Sequence, residues 1–126
     1  DTVYKNAIVT ISSQPVAVAG PVSAASANTV TYAITASITA GDTSAPLTYQ
    51  WQVNNNTGGT WVNIDNGVGV STGQPSNMIK SNANTATLTL DPTAVTANNY
   101  VFRCVVTAAG TGASATSANG RILITA

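Results

Sequence analysis

Apolar and polar residues alternate with period two over several stretches of this chain. The longest is Val30-Thr31-Tyr32-Ala33-Ile34-Thr35-Ala36-Ser37-Ile38-Thr39. Val30, Tyr32, Ile34, Ala36 and Ile38 share one face of an extended strand, with Thr and Ser mostly on the other. One face is set to be buried and one to meet water, as in an antiparallel sheet. Residues 85–90 alternate in the same way. So do residues 100–107, where Tyr100, Phe102, Cys104 and Val106 fall on one side. Further strands are expected at residues 8–11, 47–53, 61–64 and 121–125. No segment carries a helical period.

Turn chemistry separates these runs. Gln14-Pro15 breaks the first strand, and residues 41–46, from Gly41-Asp42 to Pro46, divide the second from the third. Asn54-Asn55-Asn56-Thr57-Gly58-Gly59 joins two strands that each carry a Trp. Asp91-Pro92 ends the Leu88/Leu90 strand, and Ala109-Gly110-Thr111-Gly112 forms the last hairpin. Seven or more short strands spaced by turns predict an all-β sandwich or barrel. Residues 65–84, with Gly67, Gly69, Gly73 and Pro75, break the rhythm. They read as a long loop or a short edge strand, serving as spacer or as contact surface. Residues 23–28 are a small-residue loop. Residues 1–6 are expected to be an arm or linker and residues 7–126 one domain, the size of which buries enough surface to fold without a disulfide or metal.

Charge narrows the function classes. Four basic and four acidic residues make 6% of the chain and a net charge of zero, where about 25% charged is ordinary. Twenty Ala, twenty Thr and thirteen Asn leave a surface of hydroxyls and amides. So few cations exclude the usual electrostatic route to nucleic acid and to anionic membranes. Low self-repulsion favours association, either as a module held in a larger assembly or as a packing subunit of a coat or filament. No apolar run approaches the ~20 residues of a membrane span. No signal peptide is visible, and the chain begins at Asp1, as a processed protein or a piece of a longer one would. One cysteine, Cys104, allows no intrachain disulfide, and with no His in the chain to activate it a packed thiol is expected.

The order of landmarks resembles immunoglobulin-like domains of phage virion proteins and bacterial surface proteins. Ile11-Ser12-Ser13-Gln14-Pro15 resembles their opening. Leu47-Thr48-Tyr49-Gln50-Trp51-Gln52 resembles their central strand with its core Trp, and Thr60-Trp61-Val62-Asn63-Ile64 the next. Residues 85–90 followed by Tyr100-Val101-Phe102-Arg103-Cys104-Val105-Val106 resemble the tyrosine corner and second-cysteine strand. The resemblance runs from about residue 8 to residue 125. It implies an immunoglobulin-like β-sandwich of two antiparallel sheets, with about seven to nine strands and no disulfide. The first core cysteine is missing; its place falls near Ile34 or Ala36, so packing around Trp51 is expected to replace the bridge, which suits assembly in a reducing cytoplasm. Phe102 stands where a Tyr is usual, and Tyr100 lies on the same face as a substitute.

Catalytic chemistry is not expected. Without His, His-based acid/base and metal sites are excluded. The carboxylates Asp1, Asp42, Asp65 and Asp91 sit beside turn residues, where Asp caps backbone amides, rather than as a facing pair. Asp65-Asn66 and Asp42-Thr43 lack the oxygen density of a calcium loop. No catalytic, cofactor-binding or metal residue is therefore assigned. Lys5, Lys80, Arg103 and Arg121 are scattered, and the two Arg are expected to face solvent on neighbouring strands. Trp51 reads as core. Trp61, after the Asn-rich turn, packs on its own sheet or stacks on a sugar. Asn55-Asn56-Thr57 matches a glycosylation sequon. The resemblance implies a non-catalytic structural or decoration module of a phage capsid or tail, located in the virion, docking to protein subunits in an oligomeric assembly, with weak adhesion to surface glycans. The alternative is a subunit or domain of a bacterial extracellular or cell-surface adhesin or filament, in which residues 1–10 add a strand to a neighbour.

Overall fold

The structure, a computed structural model, describes residues 7–23, 29–54, 60–64, 78–92 and 98–125. Among them the chain forms eleven strands: β1 (Ala7–Ser13), β2 (Val18–Ser23), β3 (Val30–Ala33), β4 (Thr35–Gly41), β5 (Leu47–Asn54), β6 (Val62–Asn63), β7 (Met78–Ser81), β8 (Thr87–Pro92), β9 (Val101–Ala108), β10 (Ala113–Thr116) and β11 (Gly120–Thr125). They make a two-stranded ribbon β1-β4, a three-stranded sheet β3-β8-β7, and a six-stranded sheet β2-β11-β9-β5-β6 with β10 also on β9. The protein is all-β, without a disulfide, and consistent with a β-sandwich.

The β5–β9 pair is the spine. Every residue of β5 is paired with one of β9, from Leu47↔Ala108 to Asn54↔Val101. Side chains on β9 alternate strictly, so Phe102, Cys104, Val106 and Ala108 are fully buried and Val101, Arg103, Val105 and Thr107 face outward. That is the period-two pattern of the sequence made physical. Across the core, Tyr32 of β3 stacks on Phe102 with ring centroids 5.5 Å apart and lies 6.5 Å from Trp51. Because β3 and β9 belong to different sheets, this aromatic trio locks the two layers face to face. Trp51 and Cys104 are direct cross-strand partners, so the thiol packs beside the indole as a small apolar group.

Polar atoms of the core are stitched to backbone. The Trp51 indole N–H donates to Thr85 O at 2.8 Å, and its amide donates to Ala83 O at 2.9 Å. The turn between β7 and β8 is thereby fastened to the edge of β5. Ile64 N in turn donates to Trp51 O at 3.0 Å. Between β10 and β11 the chain bulges. There Ser117, buried, accepts the Cys104 N–H on its Oγ at 2.8 Å, while its own amide donates to Cys104 O. Gly120 follows where no Cβ fits: one would stand 2.5 Å from the Tyr32 ring, with Val16 O closing the other side.

The structure differs from the sequence reading in four places. The expected strand over residues 30–39 is two strands. Its inward face persists, with Val30, Tyr32 and Ile34 buried and Ala36 and Ile38 half-buried. At Ile34 the amide turns to Ala86 O, and the pairing partner changes from β8 to β1. β2 is not among the strands expected from the sequence, and Gly20 and Pro21 are unfavourable residues for a strand interior. It survives as an edge strand with a bulge: Gly20 has φ +99°, and its missing Cβ makes room for the Leu123 carbonyl. β2 also runs parallel to β11, so the sheets are not wholly antiparallel; side-chain alternation carries no information on strand direction. Finally, β8 runs through Asp91-Pro92, with Ile79↔Asp91 and Met78↔Pro92 paired, so Asp91 lies in a strand and not in a turn. With one run split and β2, β7 and β10 added, the described strands exceed the expected seven to nine. The short β7 is the edge-strand alternative for part of residues 65–84; residues 65–77, like the expected arm at 1–6, lie outside the described residues.

Candidate functional site

Two surface features are built by this framework. The first is a polar row on the outer face of the six-stranded sheet. Arg103 of β9 is the cross-strand partner of Gln52 of β5, and Gln52 is the partner of Asn63 of β6. The side chains follow the backbone register. Arg103 Nε donates to Gln52 Oε1 at 2.8 Å, and Gln52 Nε2 donates to Asn63 Oδ1 at 3.0 Å. Trp61, two residues before Asn63, is half-buried, and the Arg103 guanidinium lies 4.2 Å over its ring centroid. Such a cation–π contact contributes about 0.5–1 kcal/mol where partly exposed. Burial pulls the Arg103 pKa below the ordinary guanidinium value, yet the group stays charged. Arg121 is exposed on β11, opposite Val101. It lies on the same face as Arg103, one diagonal step away.

The second feature is the β1-β4 ribbon. Ile8 is 58% exposed there. It lines a shallow pocket of about 130 Å³ with Ala7, Ala40 and Gly41. Neither strand contains a charged residue or a proline, the devices that usually blunt a sheet edge. Val16 and Val18, 52% and 41% exposed, add apolar surface just beyond β1.

The residues singled out from sequence separate cleanly. Trp51 and Cys104 are fully buried. Burial pushes the Cys104 thiol up to about 11, which keeps it protonated and unreactive at neutral pH. Trp61 packs on its own sheet, under Arg103. Arg103 is not simply a solvated charge: it is held at two points. Asp42 caps its turn, accepting from Ser44 N at 3.1 Å. Asp91 accepts from Thr29 Oγ1 at 2.7 Å on the other layer. The two described carboxylates thus serve separate local roles. Asp1, Asp65-Asn66, Lys5 and Asn55-Asn56-Thr57 lie outside the described residues, and Lys80 is described by its β7 backbone. Phe102 fills the corner position as an aromatic core residue, and Tyr100 is half-buried just before β9, its carbonyl accepting from Ile122 N.

Three participants escaped the sequence. Gln52 and Asn63 looked like ordinary polar positions, and the register that joins them to Arg103 is a long-range property. Ser117 carries no local pattern that marks it, because its bond to the Cys104 amide is a long-range one. The Tyr32 hydroxyl is buried with no hydrogen-bond partner among the described residues, and burial drives its pKa further above the usual phenol range. The chain matches no protein-family model and no curated protein.

Proposed function

We propose that the protein is a non-catalytic, immunoglobulin-like structural module that works by docking: a decoration or appendage domain of a phage virion. Its partners are protein subunits of an oligomeric assembly, and it adheres weakly to surface glycans. The observation that carries the docking reading is the β1-β4 ribbon, an uncharged edge with Ile8 exposed beside a small apolar pocket. Net charge zero leaves little long-range repulsion to oppose association there.

The strand order supports the immunoglobulin-like part. The β2-β11-β9-β5-β6 order on one layer, the β1-β4 and β3-β8-β7 sets on the other, and a buried Trp beside the last-cysteine position all suit that arrangement. The packed, reduced Cys104 suits a protein assembled in a reducing compartment. Absence of His from the whole chain, and the placement of the two described carboxylates, Asp42 and Asp91, in separate elements, support a non-enzymatic role.

A bacterial extracellular or cell-surface adhesin or filament subunit would use the same edge. In that reading residues 1–10 donate a strand to a neighbour. Residues Ala7 to Thr10 already pair with Gly41, Ala40, Ile38 and Ser37 of their own chain. The ribbon therefore suits the acceptor of a strand better than the donor.

Light scattering over a concentration series tests the docking reading. Reversible association that Ile8→Lys abolishes supports it. A strict monomer at all concentrations, in wild type and variant alike, contradicts it.

A further inference from the structure

We infer that the Arg103–Gln52–Asn63 row, with Trp61 beneath Arg103, is a binding site for a carboxylated polysaccharide. This deepens the adhesion part of the reading above and rests on it, independently of the docking edge.

The row is directional. Arg103 donates to Gln52, and Gln52 donates to Asn63. Each amide oxygen in the row already receives a hydrogen bond. What remains at both ends is donors: the terminal guanidinium nitrogens of Arg103, and the Asn63 amide nitrogen. Neither has a hydrogen-bond acceptor among the described residues. A ligand that meets this row must bring acceptors.

Charge points the same way. Arg121 is paired opposite Val101, which places it roughly 7–8 Å diagonally from Arg103 on the same face. Asp42 sits in the β4–β5 turn, bonded to Ser44, and Asp91 sits on the other layer, bonded to Thr29. Among the described residues no carboxylate answers the two cations. In a chain with eight charges in all, two like charges on one face create a local field that an anion relieves.

Arg103 is pre-set for a carboxylate. The Gln52 bond and the Trp61 ring fix the plane of its guanidinium, so its terminal N–H pair presents the fork that a carboxylate accepts in two parallel bonds. Little side-chain entropy is lost on binding, because the side chain is already ordered. The surroundings favour a sugar over a protein carboxylate. Beyond Val101 and Val105, which flank Arg103 half-buried, the outward face of β5, β9 and β10 carries Thr48, Thr107, Ser114 and Thr116. They offer hydroxyls rather than the buried aromatic or aliphatic anchor of a protein interface. The spacing of the row, two inter-strand steps or about 10 Å, suits a short stretch of chain rather than a single small ion.

Affinity electrophoresis of the whole chain in gels containing polygalacturonate tests the site. Retardation is expected with polygalacturonate and not with its methyl ester or with dextran. Arg103→Gln should weaken it about tenfold, the scale of one charge-assisted contact. Asn63→Asp, a change at an exposed position that leaves the core untouched, should weaken it severalfold by adding a negative charge. Thermal unfolding of both variants is measured alongside. Equal retardation by the methyl ester, or unchanged retardation in Asn63→Asp, overturns the proposal. Stronger retardation by poly-glutamate overturns it in favour of an acidic peptide partner. Loss of glycan binding with self-association intact in light scattering separates this failure from failure of the docking reading.

Discussion

The β5–β9 pair and the β1-β4 ribbon are both antiparallel, and they are held in different ways. In β5–β9 the register is unbroken over all of β5, and the inward residues are sealed between two layers. In the ribbon the register shifts twice, between Ile8 and Val9 and between Ile11 and Ser13, and Val9 is its buried side chain. One pair is sealed by side chains against the opposite layer; the other is half sealed, with Ala7, Ile11, Ala36 and Ile38 partly buried against the core beside Val9. A half-packed face contributes less than a sealed one, since the ladder's own hydrogen bonds replace bonds to water. The comparison teaches where stability and availability lie. The pair that holds the fold most firmly offers no apolar edge, and the pair with the apolar edge holds it less.

Substitutions at the spine should break the fold first. Trp51→Ala removes the indole that spans the core and its bond to Thr85 O, and should cost about 3–5 kcal/mol by chemical denaturation. Gly120→Ala places a methyl against the Tyr32 ring and Val16 O, and should cost about 1–3 kcal/mol by overpacking. Ser117→Ala strands the buried Cys104 N–H at a similar cost of about 1–3 kcal/mol. If Ser117→Ala proves neutral, the bulge does not complete the spine as described.

The pH dependence follows from Cys104. Burial raises its folded-state pKa to about 11, against 9.0 for an ordinary thiol. The folded state holds the proton more tightly, so this contribution is whole below about pH 9. It fades as pH rises toward 11, as the unfolded thiol ionises first. Denaturant midpoints for wild type should fall over that window more than those of Cys104→Ala. A thiol reagent at pH 7 should label the unfolded chain and spare the folded one.

The smallest stability effects sharpen the contrast. Tyr32→Phe deletes a buried hydroxyl without a partner among the described residues while keeping the stack on Phe102. It should leave the midpoint unchanged or raise it. Ile8→Lys lies on the exposed edge and should shift stability by no more than about 0.5 kcal/mol, while suppressing association.

Much of the spine was legible in the sequence, because a strand sealed on one face writes its burial as strict alternation. Phe102, Cys104 and Val106 were placed inward on that ground, and Trp51 was placed in the core. The elements that escaped are those in which long-range pairing overrides local pattern. β2 contains Gly20 and Pro21 and exists because β11 lies beside it. The break at Ile34 reflects a change of neighbour that the residues of the run, alternating straight through it, do not signal. The candidate site divides likewise. Trp61 and Arg103 stood out as residue types, while the row through Gln52 to Asn63 appears once three strands are set in register.

Amide hydrogen exchange at rising protein concentration tests the docking account most directly. The account predicts that in dilute protein the ribbon amides exchange through local opening, well before those of β5 and β9. As concentration rises, exchange at Ile8, Val9 and Thr10 should slow while β5 and β9 remain unchanged. Ribbon amides that exchange at the same rate at every concentration, or slowing confined to strands other than β1 and β4, would contradict it.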